Sequence, residues 1–271
     1  RASAPRARAG SRYRERQDEM DGRVEKVLKR DALGRVELVR RDGQLLVRRV
    51  ACGGSIPASA LVARRLLARE RHALARCAGL AGVPQLVESA GGAEVLERTH
   101  LDGEPLHRCT HLPIDFFERL EELVALLHAR GVAHNDLHKE QNIIVRADGR
   151  PGLIDFQLAS VHAAGSSSLA RRALDDLRHV AKHRRRYLRY ARVVDANVAP
   201  PAELLASPPR PPARSGVALV WRKSAKPLYN FVTRRVLRRR DGEERRATAD
   251  AWPQWAPPVG GADRAHITSA R

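Results

Sequence analysis

Aromatic residues are scarce in this 271-residue chain: four Phe, four Tyr and three Trp, 4% in all. That scarcity argues against a nucleic-acid module, since no basic stripe interleaved with aromatics and no known DNA-binding motif is present. Cysteine is sparse too. Cys52, Cys77 and Cys109 stand far apart, in no spacing typical of a disulfide frame or a zinc site, which points to a reducing cytoplasm. No apolar run approaches the roughly 18–20 residues that span a bilayer. The first twenty residues, "RASAPRARAGSRYRERQDEM", lack the apolar centre of a secretory signal. No internal repeat is visible.

Charge of one sign is plentiful. Fifty Lys and Arg oppose 31 Asp and Glu, a formal charge of +19. Such an excess attracts nucleic acid, anionic lipid or phosphorylated ligands. The arginines are spread along the whole chain, so an Arg-rich solvated surface is the competing reading. With 43% hydrophobic residues, the chain has room for one large domain or two lobes around a real core.

Residues 1–20 and 242–271 are dominated by Ala, Arg, Pro and Gly and are expected to be disordered tails. Between them, "RVEKVLKR", "GRVELVRR" and "QLLVRRV" predict three strands, the last two joined by the hairpin signal Asp42-Gly43. A helix follows in "ALVARRLLARERHALARC", then two strands in "GVPQLVES" and "AEVLERTHLDGEPL". The segment "IDFFERLEELVALLHARG" carries Phe116, Leu120, Leu123 and Leu127 on one helical face. Beyond it come "GVAHNDLHKEQNIIV", a turn at Asp148-Gly149, and "GLIDFQLAS". This order predicts an α+β protein of two lobes with a ligand cleft between them. Residues 21–104 would form a small β-rich lobe with one helix, and 105–241 a larger, mainly helical lobe.

Three carboxylates stand where apolar residues belong. Glu70 falls in the stripe of Ala63, Leu66, Leu67, Leu74 and Cys77, and needs a cation unless it reaches water at the stripe's edge. Arg48 and Arg49 are the candidates, and strand alternation lets only one of them point inward. Asp155 sits between Leu153-Ile154 and Phe156. Asp136 and Asn142 come from the loop before the neighbouring strand, so all three converge at one strand end. Two carboxylates and an amide oxygen are hard ligands that suit Mg²⁺ or Mn²⁺, with phosphates supplying further oxygens. Asx residues that merely shape turns are the alternative. Asp176 lies on a stripe with Leu169, Ala173 and Val180, again a carboxylate facing inward.

His134-Asn135-Asp136-Leu137 through Asn142, then "IIV" and Asp155-Phe156, resembles the catalytic loop and metal-binding motif of the protein-kinase-like superfamily. The resemblance is nearest to its small atypical bacterial branch, beside RIO-type kinases and the lipopolysaccharide core sugar (Kdo/heptose) kinases. "RERHALARCAGLAGVPQLV" and "VLERTHLDGEPL" resemble that branch's helix C and hinge, so residues 24–190 are covered. The resemblance implies a bilobal protein-kinase-like fold and transfer of the γ-phosphate of ATP to a hydroxyl, on a protein Ser/Thr or a cell-envelope sugar. It implies Asp136 as the catalytic aspartate and Asn142 and Asp155 as holders of Mg²⁺ (or Mn²⁺). Glu70 would pair with Arg48, and backbone groups of Leu96, Glu97, Arg98 and Thr99 would receive adenine. Asp176 would brace the loop from below. His138 and Lys139 are additions beside Asp136: one or both would meet the γ-phosphate, or they are solvated loop residues, and His134 would be a packing residue bonded to backbone.

Four departures stand against the family pattern. Arg48 replaces the usual Lys, which keeps charge but changes donor geometry. No glycine-rich loop exists, since "KRDALGRV" offers only Gly34. Asn142 is six residues after Asp136 where the family has five, which puts Gln141 at the usual spacing. "DFQ" replaces "DFG". These features keep a catalytically weak scaffold in view. Ser166–Ser168 read as a helix cap or as phosphate acceptors. Residues 217–246, apolar on one face and basic on the other from Leu228 to Leu237, either pack on the helical lobe or rest on anionic membrane at the inner face. No specific nucleic-acid partner is expected.

Overall fold

Asp42 and Gly43 both take positive φ, 49° and 76°, as a two-residue type I′ turn requires. The turn fixes the register of β2 (Gly34–Arg41) on β3 (Gln44–Ala51), from Arg41 opposite Gln44 to Gly34 opposite Ala51. The computed structural model describes residues 22–31, 33–52, 59–89 and 91–189, and the backbone of 192–193 and 254–256. The tail 1–20 and the basic segment 217–246 lie outside the described residues. Within these bounds the fold is mixed α/β, and the chain divides into two compact units.

The first unit runs to Leu101 and takes in Phe156–Leu158. β1 (Arg23–Asp31) pairs with β2, helix α1 spans Ser59–Arg76, and β4 (Leu86–Val87) and β5 (Val95–Thr99) follow. All pairs are antiparallel, in the order β1-β2-β3-β5-β4. The strand predicted over "GVPQLVES" shortens to two residues. β1 is exposed along its length and breaks register at two points, after Val24 and after Val27. Such bulges, with Lys26 and Lys29 on the strand, blunt an edge that would otherwise template another chain. Gly34, at φ 142°, lies so close to β3 that a Cβ would fall 2.0 Å from the Val50 carbonyl oxygen. No other residue fits there.

α1 buries Ala63, Leu67, Ala73 and Leu74, each buried Leu contributing roughly 1.5–3 kcal/mol. Leu66, expected on that stripe, is only half-buried. Phe156 is fully buried in the same core, and Arg69 Nη2 donates to the Leu158 carbonyl at 2.9 Å.

The second unit holds β6 (Gly103–Pro105), β7 (His111–Pro113), α2 (Phe116–Ala129), β8 (Val132–Ala133), β9 (Ile143–Arg146), β10 (Pro151–Leu153), β11 (Ser160–Val161) and α3 (Ser167–Arg189). Small sheets β10-β9-β6 and β11-β8 accompany the helices, so the unit is less purely helical than expected. Gln254–Ala256, inside the stretch whose composition suggested disorder, forms strand β13, which pairs in parallel with β7 and with β12 (Arg192–Val193). Its sequence "QWA" carries an aromatic, a residue type enriched in strands. The predicted face of α2 is buried, Phe116, Leu120, Leu123 and Leu127 among it. Phe117 meets Tyr187 of α3 edge to face, ring centroids 5.6 Å apart. Ser166 caps α3, its Oγ accepting the Leu169 N–H at 3.3 Å, as the capping reading expects. Among the described residues no helix is long and apolar enough to cross a membrane.

Candidate active site

β9 and β10 pair antiparallel and end on Ile143 opposite Leu153. One step further the Ile154 N–H donates to the Asn142 carbonyl at 3.0 Å. That bond sets Asn142 and Asp155 at the same end of the hairpin, with the loop 134–142 leading into it. Asn135 and Asp155 both hold φ 64°, a left-handed conformation that Asn and Asp tolerate better than other side chains.

Asp136 is 2% exposed. Its Oδ2 accepts from Lys139 Nζ at 2.8 Å and from Asn142 Nδ2 at 3.0 Å. His138 Nδ1 stands 3.1 Å from Oδ1, within ion-pair reach but off the hydrogen-bond line. Oδ1 therefore has no directed hydrogen bond among the described residues. Burial acts to raise the Asp136 pKa, but His138 and Lys139 together outweigh it and hold the carboxyl below its ordinary value. Asp136 is thus an anion at neutral pH, with Oδ2 committed to hydrogen bonds and Oδ1 buried beside His138.

The loop's backbone is fixed from below. Asp176 of α3, 1% exposed, accepts the N–H of His134 at 2.8 Å on Oδ2 and that of Asn135 at 2.9 Å on Oδ1. His134 Nδ1 accepts the Asp136 N–H at 3.3 Å, so the ring proton belongs on Nε2, which donates to the Ile154 carbonyl at 2.9 Å. The His134 ring thereby ties the loop to the Asp155 strand end. Asn135 donates to Ala133 O and Ser160 Oγ and accepts from Arg172 Nη1 at 3.1 Å.

Sequence reasoning missed a second buried carboxylate in this loop. Glu140 accepts from Tyr187 Oη at 2.8 Å and from Arg186 Nη1 at 3.0 Å. Its pKa falls to about 2: burial pushes it up, but His183, Tyr187 and Arg186 more than offset that. The available signal was the α3 stripe continued past Val180, where His183 and Tyr187 follow at helical spacing and are buried. On the same helix His179 is driven down to about 3 by burial, with Arg178, His138 and His183 adding to the shift.

In the first unit the expected Arg48–Glu70 pair does not form. Arg48 lies opposite Glu97 in the β3–β5 ladder, and Arg49 opposite Leu96, so the two arginines face opposite sides of the sheet. Arg48 Nε bonds Glu97 Oε1 at 2.6 Å, and Arg41 Nη1 bonds Glu97 Oε2 at 2.7 Å. Glu70, fully buried rather than at the edge of its stripe, instead takes Arg98 of β5 as its hydrogen-bonded partner, with Arg49 Nε 3.5 Å from its other oxygen. Of the two β3 arginines, Arg49 rather than Arg48 is the one that faces Glu70.

A second correction concerns Leu96–Thr99. β5 is paired on both edges, by β3 and by β4, and the Thr99 N–H is spent on the Gln85 carbonyl at 2.9 Å. Glu97 and Arg98 are thus paired on both sides and the Thr99 N–H is taken, so adenine would have to compete with ladder bonds there. Leu96 and Glu97 instead line a cavity of about 540 Å³ with Arg71, Glu88 and Ser89. A smaller cavity of about 30 Å³ in this unit gathers Lys29, Arg35 and Arg49 beside Asp31, Gly34 and Gln157.

Among the described residues no three His, Cys, Asp or Glu side chains come together as a ready metal cage. The donors at the hairpin end are the Asp155 carboxylate and the Asn142 amide, whose nitrogen is turned to Asp136 and whose oxygen is thereby left for a ligand. Two hard oxygens fit Mg²⁺, which takes few protein ligands and completes its octahedron with water and phosphate oxygens.

No family model matches the chain. Probable SapB synthase of Streptomyces coelicolor is 36% identical over 127 residues, which covers 38% of this chain and 14% of that protein. The chain therefore spans 14% of the length of this relative. Among solved structures, the Rio2 kinase from Chaetomium thermophilum aligns with a TM-score of 0.47 at 16% identity, over 64% of this chain and 59% of that one.

Proposed function

We propose that the chain is an ATP- and Mg²⁺-dependent phosphotransferase of the protein-kinase type. It would move the γ-phosphate to an acceptor hydroxyl, with protein Ser/Thr placed first and a lipopolysaccharide core sugar second. The observation that carries this reading is the Asp136 carboxylate: buried, anionic, gripped on Oδ2 by Lys139 and Asn142, with Oδ1 lacking a directed hydrogen bond among the described residues and facing the His138 ring at 3.1 Å. With the half-exposed His138 swung aside, such an oxygen is suited to receive a hydroxyl proton donor and fix its oxygen in line for attack. A carboxyl held below its ordinary value is a weak base, so Asp136 serves by orientation more than by deprotonation.

Asn142 and Asp155 would hold Mg²⁺, which when bound neutralises the charge of the ATP phosphates. Lys139 presents its ammonium next to Asp136. A catalytically weak scaffold is the second reading. It is favoured by the turn before β2, where the only glycine, Gly34, is packed against Val50 and is not free to fold over a nucleotide.

The test is release of labelled phosphate from γ-³²P-ATP with Mg²⁺, followed by protein extracts and lipid A-core sugars as acceptors. Transfer lost in Asp136→Ala with nucleotide binding intact supports the enzyme. Nucleotide binding without release under any acceptor supports the scaffold.

A further inference from the structure

The loop around Asp136 is fastened to α3 on both sides. Upstream the fastening is Asp176 on the His134 and Asn135 amides. Downstream it is Glu140, which follows Lys139 directly and opens the single helical turn Glu140–Asn142. Of the two side chains that grip Asp136 Oδ2, Lys139 directly precedes this turn and Asn142 closes it. Glu140 itself points away from Asp136 into α3, only 7% exposed. Its Oε2 receives the Tyr187 hydroxyl, and its Oε1 receives Arg186 with His183 Nδ1 3.6 Å away. His183 Nε2 in turn donates to the Leu137 carbonyl at 2.9 Å, the residue next to Asp136. The Tyr187 Oη also lies 3.0 Å from the Leu106 carbonyl. Its one proton goes to the carboxylate, the shorter and charge-assisted contact.

A buried ionised carboxylate is a poor way to gain stability, because well-packed apolar side chains in its place are often as good or better. What an apolar residue cannot do is fix the turn at a set rotation through two directed hydrogen bonds, from Tyr187 and Arg186, with the His183 ring close beside them. We infer that Glu140, held by Tyr187 and His183, is a positioning residue that sets Lys139 and Asn142 onto Asp136. It touches neither the acceptor nor the nucleotide. This rests on the phosphotransferase reading for its effect on turnover, but the positioning itself is independent of it.

Tyr187→Phe removes one hydroxyl and keeps the ring against Phe117, and Glu140→Gln removes the charge at constant shape. Steady-state kinetics and amide exchange of Asn142 and Ile154 without nucleotide are measured on both, beside thermal melting. The expected result is kcat lower by roughly 10- to 100-fold, as small misplacement of reacting groups produces, with KM for ATP within about threefold of the starting value. The Asn142 and Ile154 amides exchange faster while those of α2 do not change. Wild-type kcat in both variants overturns the inference, as does faster exchange spread evenly over the unit with kcat unaltered. If Glu140→Gln fails to fold, Tyr187→Phe decides alone. If the unaltered protein releases no phosphate, the phosphotransferase reading fails. Positioning is then judged by exchange alone, and unchanged Asn142 and Ile154 amides overturn it.

Discussion

Asp176 accepts the N–H groups of two consecutive residues, His134 at 2.8 Å and Asn135 at 2.9 Å, one on each carboxylate oxygen. A single side chain more than 40 residues downstream thus dictates the backbone direction from which Asp136 emerges. Asp176→Ala leaves both N–H groups unmet, at about 1–3 kcal/mol for each that stays buried. Asp176→Asn, with one acceptor oxygen, loses one of the two. Urea unfolding should rank wild type above Asn and Asn above Ala, and equal midpoints for all three would remove Asp176 from this role.

Asp136→Ala should lower phosphate transfer by on the order of 10²-fold or more and leave nucleotide affinity nearly unchanged. Asp155→Ala should instead abolish the dependence of ATP affinity on Mg²⁺, read by calorimetry with and without the ion. Wild-type rates in both variants would end the enzymatic reading.

For Glu70 the partner can be identified energetically. Glu70→Ala strands the buried Arg98 and should cost about 3–5 kcal/mol. In double-mutant cycles the coupling of Glu70 to Arg98 should be large. Coupling to Arg48, which lies on the other face of the sheet with Glu97, should stay below about 0.5 kcal/mol. A strong Glu70–Arg48 coupling would contradict the register of β3 on β5.

Acid should destabilise the protein in two ranges. His179 is lowered from 6.5 to about 3 by burial, so the unfolded chain binds a proton there that the folded one refuses. Its share of stability is complete above pH 6.5 and drains away as pH falls toward 3. Glu140 is lowered from 4.5 to about 2; its share is complete above 4.5 and is lost toward 2, about 3 kcal/mol in full. His179→Leu should flatten the decline from pH 6.5 down to 3, and Glu140→Gln the decline from 4.5 to 2, in urea melts taken at each pH. Unaltered slopes would refute the assignment.

What the sequence made legible was local. Asp42-Gly43 named its own turn, the α2 stripe named its buried face, and the spacing of Asp136, Asn142 and Asp155 placed them at one hairpin end. Alternation in "LLVRR" showed that only one arginine could face Glu70. The choice between Arg48 and Arg49 depended on how β3 registers against β5, a pairing set by residues some fifty positions away. The burial of β5 between two neighbours was hidden for the same reason, since sheet order is not written in any one strand. Glu140 was hidden because a charged residue in a polar loop looks solvated until Tyr187 and Arg186 arrive from α3.

Phe156 fills the core of the first unit, whose other residues end at Leu101, while the second unit begins at Asp102 and continues through Asp155. On a ribosome the first unit therefore emerges with a hole where that ring belongs, and waits for about 55 further residues before it is closed. At roughly 5–20 residues per second, that is a delay of about 3–11 seconds. Throughout it α1, which packs against the 156–158 turn, lacks part of its cover, a window in which a nascent-chain chaperone has something apolar to hold.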